Sequence, residues 1–406
     1  MRAPQGAGQG NARRVPVALN SKNIRLLTNK NEKCMAKVNG LVKADLSDIF
    51  SMEMIRSLFR GVGQVMFQNN GITGLLFMVG IFWGSYTSHT GYVAWGAVLG
   101  VVVSTITGFL LGLPKSHGFQ GLWGFNGVLV GCAFPTFMGN TLWMWIALVL
   151  CAAMTTWVRV ALNNVMKPWK VNSFTFPFVL CTWVFLLAAH VMGAIPPTHM
   201  DTPAFPTEMS AHVDGSLWSV VKYWLRGISQ VFLIDSWVTG LLFVLGLLVS
   251  NRWAAFWAIV GSAVALGIAL IYRAPGADVA AGLYGFSPVL TGIALGATFY
   301  HVNIRSALWA LVGVIATVFF QAAVDVLLTP LGVAALTSPF CITTWLFLLP
   351  LFKFNSTKEE DEDHSMWQEL NRRHAKETAL AQKATATPSA APKSSVTSSS
   401  DTLKES

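Results

Sequence analysis

From Leu58 the chain reads LFRGVGQVMFQNNGITGLLFMVG, and from Trp224 it reads WLRGISQVFLIDSWVTGLLFVLG, two stretches that align without a gap 166 positions apart (58 to 224). They share Arg60/Arg226, Gly61/Gly227, Gln64/Gln230, Val65/Val231, Thr73/Thr239, Gly74/Gly240 and the run Leu75-Leu76-Phe77/Leu241-Leu242-Phe243. An internal duplication constrains the fold more than any single motif, because each copy must build the same elements. In membrane proteins, repeated halves tend to place a solute site between them.

Composition supplies the membrane. Apolar residues make up 53% of the chain and charged residues only 12%, against about 25% charged in ordinary globular proteins. Apolar runs approaching spanning length recur at Gly71–Tyr86, Val93–Leu113, Leu142–Val158, Phe174–Ala189, Val238–Val249, Trp253–Ile271, Ala307–Ala323 and Thr343–Phe352. A lipid-spanning helix needs roughly 20 largely apolar residues, some of which the flanks of these runs supply. A soluble fold would have nowhere to bury so many runs.

Both ends differ from this body. Residues 1–48 are polar, with nine Lys/Arg against three acids and no apolar core of a signal peptide. After Ser356 comes the acidic run Glu359–Asp363, then a tail of Ala, Ser, Thr, Lys and Pro that is expected to be disordered. The basic arm argues for orientation or anionic lipid contact, not nucleic acid. Four of the five cysteines (132, 151, 181 and 341) lie in apolar runs and Cys34 lies in the arm, a pattern without a disulfide or metal framework.

Basic residues also orient the chain. The arm, Arg159, Lys167 and Lys170 mark cytoplasmic positions, whereas Val171 through Val221 contains no Lys or Arg. The Pro/His-rich linker Ile195–Gly215 within that stretch is therefore expected outside. An inside start and an outside linker require an odd number of spans, and five fit. A unit with an odd number of spans, repeated in tandem, must sit inverted the second time. Arg273, Arg305 and Lys353 agree with that topology and Arg252 does not. The expected architecture is an all-α polytopic membrane protein with two inverted-topology repeats of about five transmembrane helices enclosing a pore. The divisions are 1–48 (arm), 49–192 (first repeat), 193–216 (extracytoplasmic linker), 217–354 (second repeat) and 355–406 (tail), with both termini cytoplasmic.

Each half holds one segment unlike an ordinary span. Gly118–Phe134 and Ala280–Phe299 are glycine-rich, share Gly-Leu-aromatic-Gly-Phe, and align 161 positions apart (125 to 286). The first half thus carries a net five-residue insertion upstream. Non-helical backbone at membrane depth is tolerated only where protein or a cavity surrounds it, so re-entrant half-helices are expected here. A third repeated block pairs Thr175/Thr337, Pro177/Pro339, Phe178/Phe340, Trp183/Trp345 and Phe185/Phe347.

The duplicated polar inventory is uncharged: Gln64/Gln230 and Thr175/Thr337, with Asn126 in the first half only. Phe125/Phe286 are the duplicated aromatics, and Phe67 is matched by Leu233. Amide and hydroxyl oxygens accept N–H bonds and ring faces sandwich flat molecules, which suits a small neutral solute. A coupled carrier would show paired intramembrane acids. Asp325, His190 and Arg159 stand near span ends, where interfacial roles are expected. A Phe, Thr or Gln in a span also has ordinary packing roles, and a duplicated structural contact would repeat as well.

These residues resemble the urea transporter family across roughly Leu58–Phe352. The resemblance rests on Arg60-Gly61-x-Gly63-Gln64-Val65 with Asn69-Asn70, on the repeated Gly-Phe segments, and on the twin Thr-x-Pro-Phe blocks. The family pattern LPxxTxPF maps to Val171–Phe178 with Val171 and Asn172 in place of Leu-Pro, and Gly71 stands where Asn-Asn-Pro has its proline. The resemblance implies a homotrimer in a plasma membrane, with one pore per protomer, passing urea without a cofactor. It implies one slot at Gln64, Val65, Phe67, Phe125 and Leu129, and a second at Gln230, Val231, Leu233, Phe286 and Leu290. Thr175 and Thr337 would form the constriction between them. Two other classes stay open. One is a channel for ammonia or another small neutral amide, favoured by a twin-histidine pore, for which His190 has no partner. The other is a membrane-embedded enzyme or scaffold; an enzyme would need clustered His, Asp, Glu or Cys.

Overall fold

The computed structural model describes residues 52–198, 213–350 and 352. The basic arm, the middle of the linker and the C-terminal tail lie outside the described residues. Fourteen α-helices occur among the described residues, seven in each half. The first half contains α1 (Met52–Gln64), α2 (Gly71–Thr87), α3 (Gly91–Leu110), α4 (Lys115–Phe119), α5 (Phe125–Phe137), α6 (Leu142–Met166) and α7 (Phe176–Ala189). The second repeats them in order: α8 (Leu217–Ser229), α9 (Trp237–Ser250), α10 (Arg252–Ile271), α11 (Gly276–Ala281), α12 (Phe286–Ile293), α13 (Ile304–Leu328) and α14 (Ser338–Leu348).

Local chemistry sets many of these starts. Asn70 Oδ1 accepts from the amides of Ile72 and Thr73 to open α2, and Asn251 Oδ1 does the same for α10. Asn303 and Ser306 form a reciprocal capping box on α13. Pro177 and Pro339 sit in the first turns of α7 and α14, where a missing N–H costs nothing. The five-residue difference between the halves is now located. Helix α2 has 17 residues and α9 has 14, and the connection after α2 takes three residues (88–90) where Asn251 alone serves after α9.

Among the described residues, four helices are long and apolar enough to cross a membrane: Gly91–Leu110, Leu142–Trp169, Arg252–Ile271 and Ile304–Leu331, two of them including a short terminal 3₁₀ turn. A fifth span arises if Leu217–Phe232 and Trp237–Ser250, bent by 72°, count as one. The other apolar helices are shorter, including α5 and α12 in the segments expected to be re-entrant. Helices α1 and α8 lie outside the apolar runs read from the sequence. Both are amphipathic, burying residues such as Gly61 and Gln64 in α1 and Gly227 and Ile228 in α8. Exposed Leu, Ile, Val and Trp side chains cover the outward faces of the long helices, for example Leu150 and Trp157 on α6 and Leu308 and Val312 on α13.

The halves grip each other reciprocally. Thr73 Oγ1 donates to the carbonyl of Gly246 (2.8 Å), and its counterpart Thr239 Oγ1 donates to Gly80, the counterpart of Gly246 (2.7 Å). Likewise Trp183 Nε1 donates to the Ala334 carbonyl (2.9 Å) and Trp345 Nε1 to the Asn172 carbonyl (2.8 Å). A pattern of i to j and j to i is that of a self-complementary contact about a twofold. Phe77 meets its own counterpart Phe243 with ring centroids 4.8 Å apart, and both are fully buried.

Interhelical hydrogen bonds in membranes average about 0.6 kcal/mol. Replacing Thr73 and Thr239 together by valine is therefore expected to cost about 1 kcal/mol of stability. Thermal unfolding in detergent should show a lower Tm in the double variant than in either single one. Equal Tm values for single and double variants would remove these bonds from the account of the joint.

Candidate functional site

Arg60 and Gln64 stand four residues apart on α1 and so share a face. Arg60 Nη1 donates to the carbonyl of Phe119 (2.8 Å) and Gln64 Nε2 to the next carbonyl, Gln120 (2.9 Å). In the second half Arg226 Nη1 reaches Ala280 and Gln230 Nε2 reaches Ala281, each at 2.9 Å. The repeated Arg-Gly-x-x-Gln thus clamps the turn that launches α5, or α12 in the second copy. Gly121 and Gly282 occupy the left-handed region at φ +79° and +78°, with the backbones of Gly61 and Gly227 packed where a Cβ would stand. Only glycine meets both demands. With its amide nitrogen committed to the turn, each Gln keeps its side-chain oxygen as an acceptor.

The clamp brings Gln64 beside Phe125, the first residue of α5. Around them lies a cavity with about 40 Å³ of room for the centres of water-sized molecules. A single water needs roughly 10–15 Å³ on that measure, so a solute of a few heavy atoms fits. The lining brings together five of the expected residues, Gln64, Val65, Phe67, Phe125 and Thr175. Leu129, one turn beyond Phe125, is fully buried behind them and does not line the space.

The second-half residues hold the corresponding places without lining the other described cavity, which is bounded by Tyr223, Ser262 and Tyr284 among others. Gln230, Val231, Phe286, Leu290 and Thr337 are all buried, and Leu233 is partly so. The two threonines meet at the centre: Thr175 Oγ1 lies 2.7 Å from Thr337 Oγ1, and 3.4 Å from Cys341 Sγ. Each hydroxyl belongs to the residue just before a helix, Thr175 before α7 and Thr337 before α14.

Aromatic rings converge beside this pair. Phe67 packs edge-on against Phe174, Phe299 and Phe340 with centroids 6.2, 5.6 and 6.0 Å away. Phe67 and Phe174 have left-handed backbones (φ 62° and 48°), as do their counterparts Leu233 and Leu336 (60° and 52°). For bulky residues that conformation costs roughly 1–2 kcal/mol each. Its duplication at four such positions marks a shape that the surrounding packing enforces.

Sequence reasoning placed Arg159 at a helix end in an interfacial role, and the structure corrects this. Arg159 is only 5% exposed and lines the cavity, with its guanidinium carbon 5.6 Å from the centre of the Phe125 ring. Its apolar helix α6 packs across the site, so the residue is carried inward rather than to the surface. Asn163, one turn on, joins the lining with Leu122, Asn172, Ser173 and Phe174. None of these five was expected, and a charge with apolar residues on both sides was the signal available for Arg159. The group over the Phe125 ring is thus a guanidinium, and Phe67 finds its ring partners elsewhere. Asn126, singled out as unmatched, accepts from the amide of Phe178 (3.1 Å).

A family model described as Urea transporter matches residues 55–352. The chain is 29% identical over 336 residues to Urea transporter 1 of Mus musculus, covering 80% of this chain and 86% of the relative. It is 28% identical over 358 residues to Urea transporter 1 of Ovis aries, covering 86% of each. The family match spans both halves, from the α1 clamp to the last apolar helix, and with it the cavity and the paired threonines. The chain is a multi-pass membrane protein and belongs to the urea transporter family.

Proposed function

We propose that this protein passes urea downhill across a plasma membrane, through a pathway inside each protomer. The Thr175–Thr337 contact carries the proposal, because two hydroxyls from the two halves meet where a solute crossing from one half to the other would have to pass. The division into repeats at 49–192 and 217–354, inverted in the membrane, gives that pathway a slot on either side. Gln64, Val65, Phe67, Phe125 and Leu129 form one slot, and Gln230, Val231, Leu233, Phe286 and Leu290 the other. The reciprocal bonds between the halves support the two-slot arrangement. Both termini are cytoplasmic, the 193–216 linker is outside, and lipid surrounds a homotrimer of such protomers.

Urea is flat and neutral, with N–H donors along its edges. Gln side-chain oxygens and Thr hydroxyls replace water as its acceptors, while Phe faces limit the thickness of what enters. An uncompensated hydrogen bond costs about 1–3 kcal/mol. The acceptors therefore hold each step shallow without binding tightly, since a deep site would slow exit. No coupling ion enters this scheme. Reconstituted liposomes are expected to take up urea faster than protein-free vesicles in stopped-flow light scattering, irrespective of imposed sodium or proton gradients. Permeability equal to that of empty vesicles, or uptake that needs such a gradient, would overturn the reading.

A further inference from the structure

Arg159 is the buried charge of the cavity, and the protein leaves it uncompensated. Among the described residues it makes no ion pair and no hydrogen bond, and no Asp or Glu lines the space. An arginine stays charged in proteins and presents its N–H donors in a planar fork. The Phe125 ring attracts the cation but accepts none of those donors in the plane. Beside it, Ser173 Oγ is buried without a partner, although the residue is 1% exposed and belongs to the same lining. Asn163 Oδ1 accepts from the Ser173 amide at 2.8 Å, which leaves the Asn163 amide nitrogen as another donor. Three kinds of donor and a full positive charge therefore bound one small space.

The second half supplies the comparison. The counterparts of Arg159, Asn163 and Ser173 are Gln321, Asp325 and Ala335, each 162 positions on. Gln321 accepts from Ser287 Oγ at 2.7 Å and donates to both Asp325 oxygens at 3.0 and 2.9 Å. The same fold position is thus held by partners within the protein, with an acid among them. The backbone does not require a cation or vacant donors there, and in the first half both are present.

We propose that Arg159, Ser173 and Asn163 form a subsite for a small planar oxyanion of the nitrate and formate class. The guanidinium fork matches two oxygens of such an anion side by side, and the cavity holds only a few heavy atoms. Partly exposed Phe67, Asn163 and Asn172 in its lining leave the space open to entry. Because Gln64 and Thr175 line the same cavity, an anion seated there excludes urea. This competition rests on the urea-transport reading; the binding does not.

Thermal unfolding of the purified full chain in detergent tests the binding. Potassium nitrate or formate is titrated against potassium gluconate at matched ionic strength. A Tm rise specific to nitrate or formate, growing with the logarithm of anion concentration above the dissociation constant, is expected, smaller in Ser173→Ala and absent in Arg159→Gln, each of which installs the second half's residue. The rise should persist in Arg305→Gln, which alters an exposed arginine elsewhere. Equal Tm values in nitrate, formate and gluconate, or an unchanged anion-specific rise in both Ser173→Ala and Arg159→Gln, would overturn the subsite. If Arg159→Gln yields no folded protein, Ser173→Ala and the salt comparison decide. In proteoliposomes, anion at the dissociation constant fitted from the Tm series is expected roughly to halve urea permeability at low urea. Undiminished permeability at saturating anion would refute the competition. Vesicles that conduct no urea in any salt would sink the transport reading while the Tm result still judges the subsite.

Discussion

Replacing Thr175 and Thr337 together by valine is expected to lower urea permeability by about 10–100-fold at equal protein content. Valine keeps the shape of threonine and removes the hydroxyl, so packing at this buried junction changes little. What disappears is the pair of oxygens that lie 2.7 Å apart where the halves meet. A solute crossing there would leave one or two of its N–H groups without an acceptor, at about 1–3 kcal/mol each. Every 1.4 kcal/mol is a factor of ten. Either single variant keeps one hydroxyl and should fall between wild type and the double variant. Stopped-flow measurements on vesicles with matched protein content read this directly. An unchanged rate in the double variant would move the constriction away from the threonines.

Gly121→Ala is expected to have the largest effect on folding. At φ +79° an alanine is strained by roughly 1–2 kcal/mol. Its Cβ would also stand inside the backbone of Arg60 and Gly61, which the Arg60 and Gln64 clamp holds in place. Backbone cannot rotate aside as a side chain can, so the turn itself would have to open. Little folded, monodisperse protein should be recovered, and Gly282→Ala should behave alike because Gly282 meets Gly227 and Arg226 in the same way. Gly267→Ala is the control, since nothing lies within 4 Å of a Cβ there. In a helix interior that change is neutral or stabilising by up to about 1 kcal/mol. Normal yield of Gly121→Ala would mean that the clamp is looser than its hydrogen bonds suggest.

Much of the fold was legible because hydrophobic length and repetition are local properties of a sequence. The apolar runs coincide with helices, and the displaced offsets of the repeated blocks locate an insertion that falls in α2 and the connection after it. The clamp was visible only as letters: Arg60 and Gln64 recur with their spacing, but their partners are carbonyls of residues 119 and 120, which side-chain patterns do not announce. Arg159 was misread for a similar reason. Its sequence neighbours put it toward the end of an apolar run, whereas its burial depends on α6 crossing the cavity. Ser173 and Phe174 were passed over because the repeat drew attention to what the halves share, and at these places they differ.

A residue lying on a twofold touches its own copy, so a substitution there alters both partners of one contact. Thr175/Thr337 and Phe77/Phe243 are of that kind, and they are identical in the two halves. Away from the axis each copy answers only to its own neighbours, and there Phe67 faces the changed counterpart Leu233 and Arg159 the changed counterpart Gln321. The joint therefore carries the constraint of a dimer made of identical subunits, while positions away from it are free to differ. On the proposed reading, a pathway symmetric at its middle would in this way meet two different solutions at its ends.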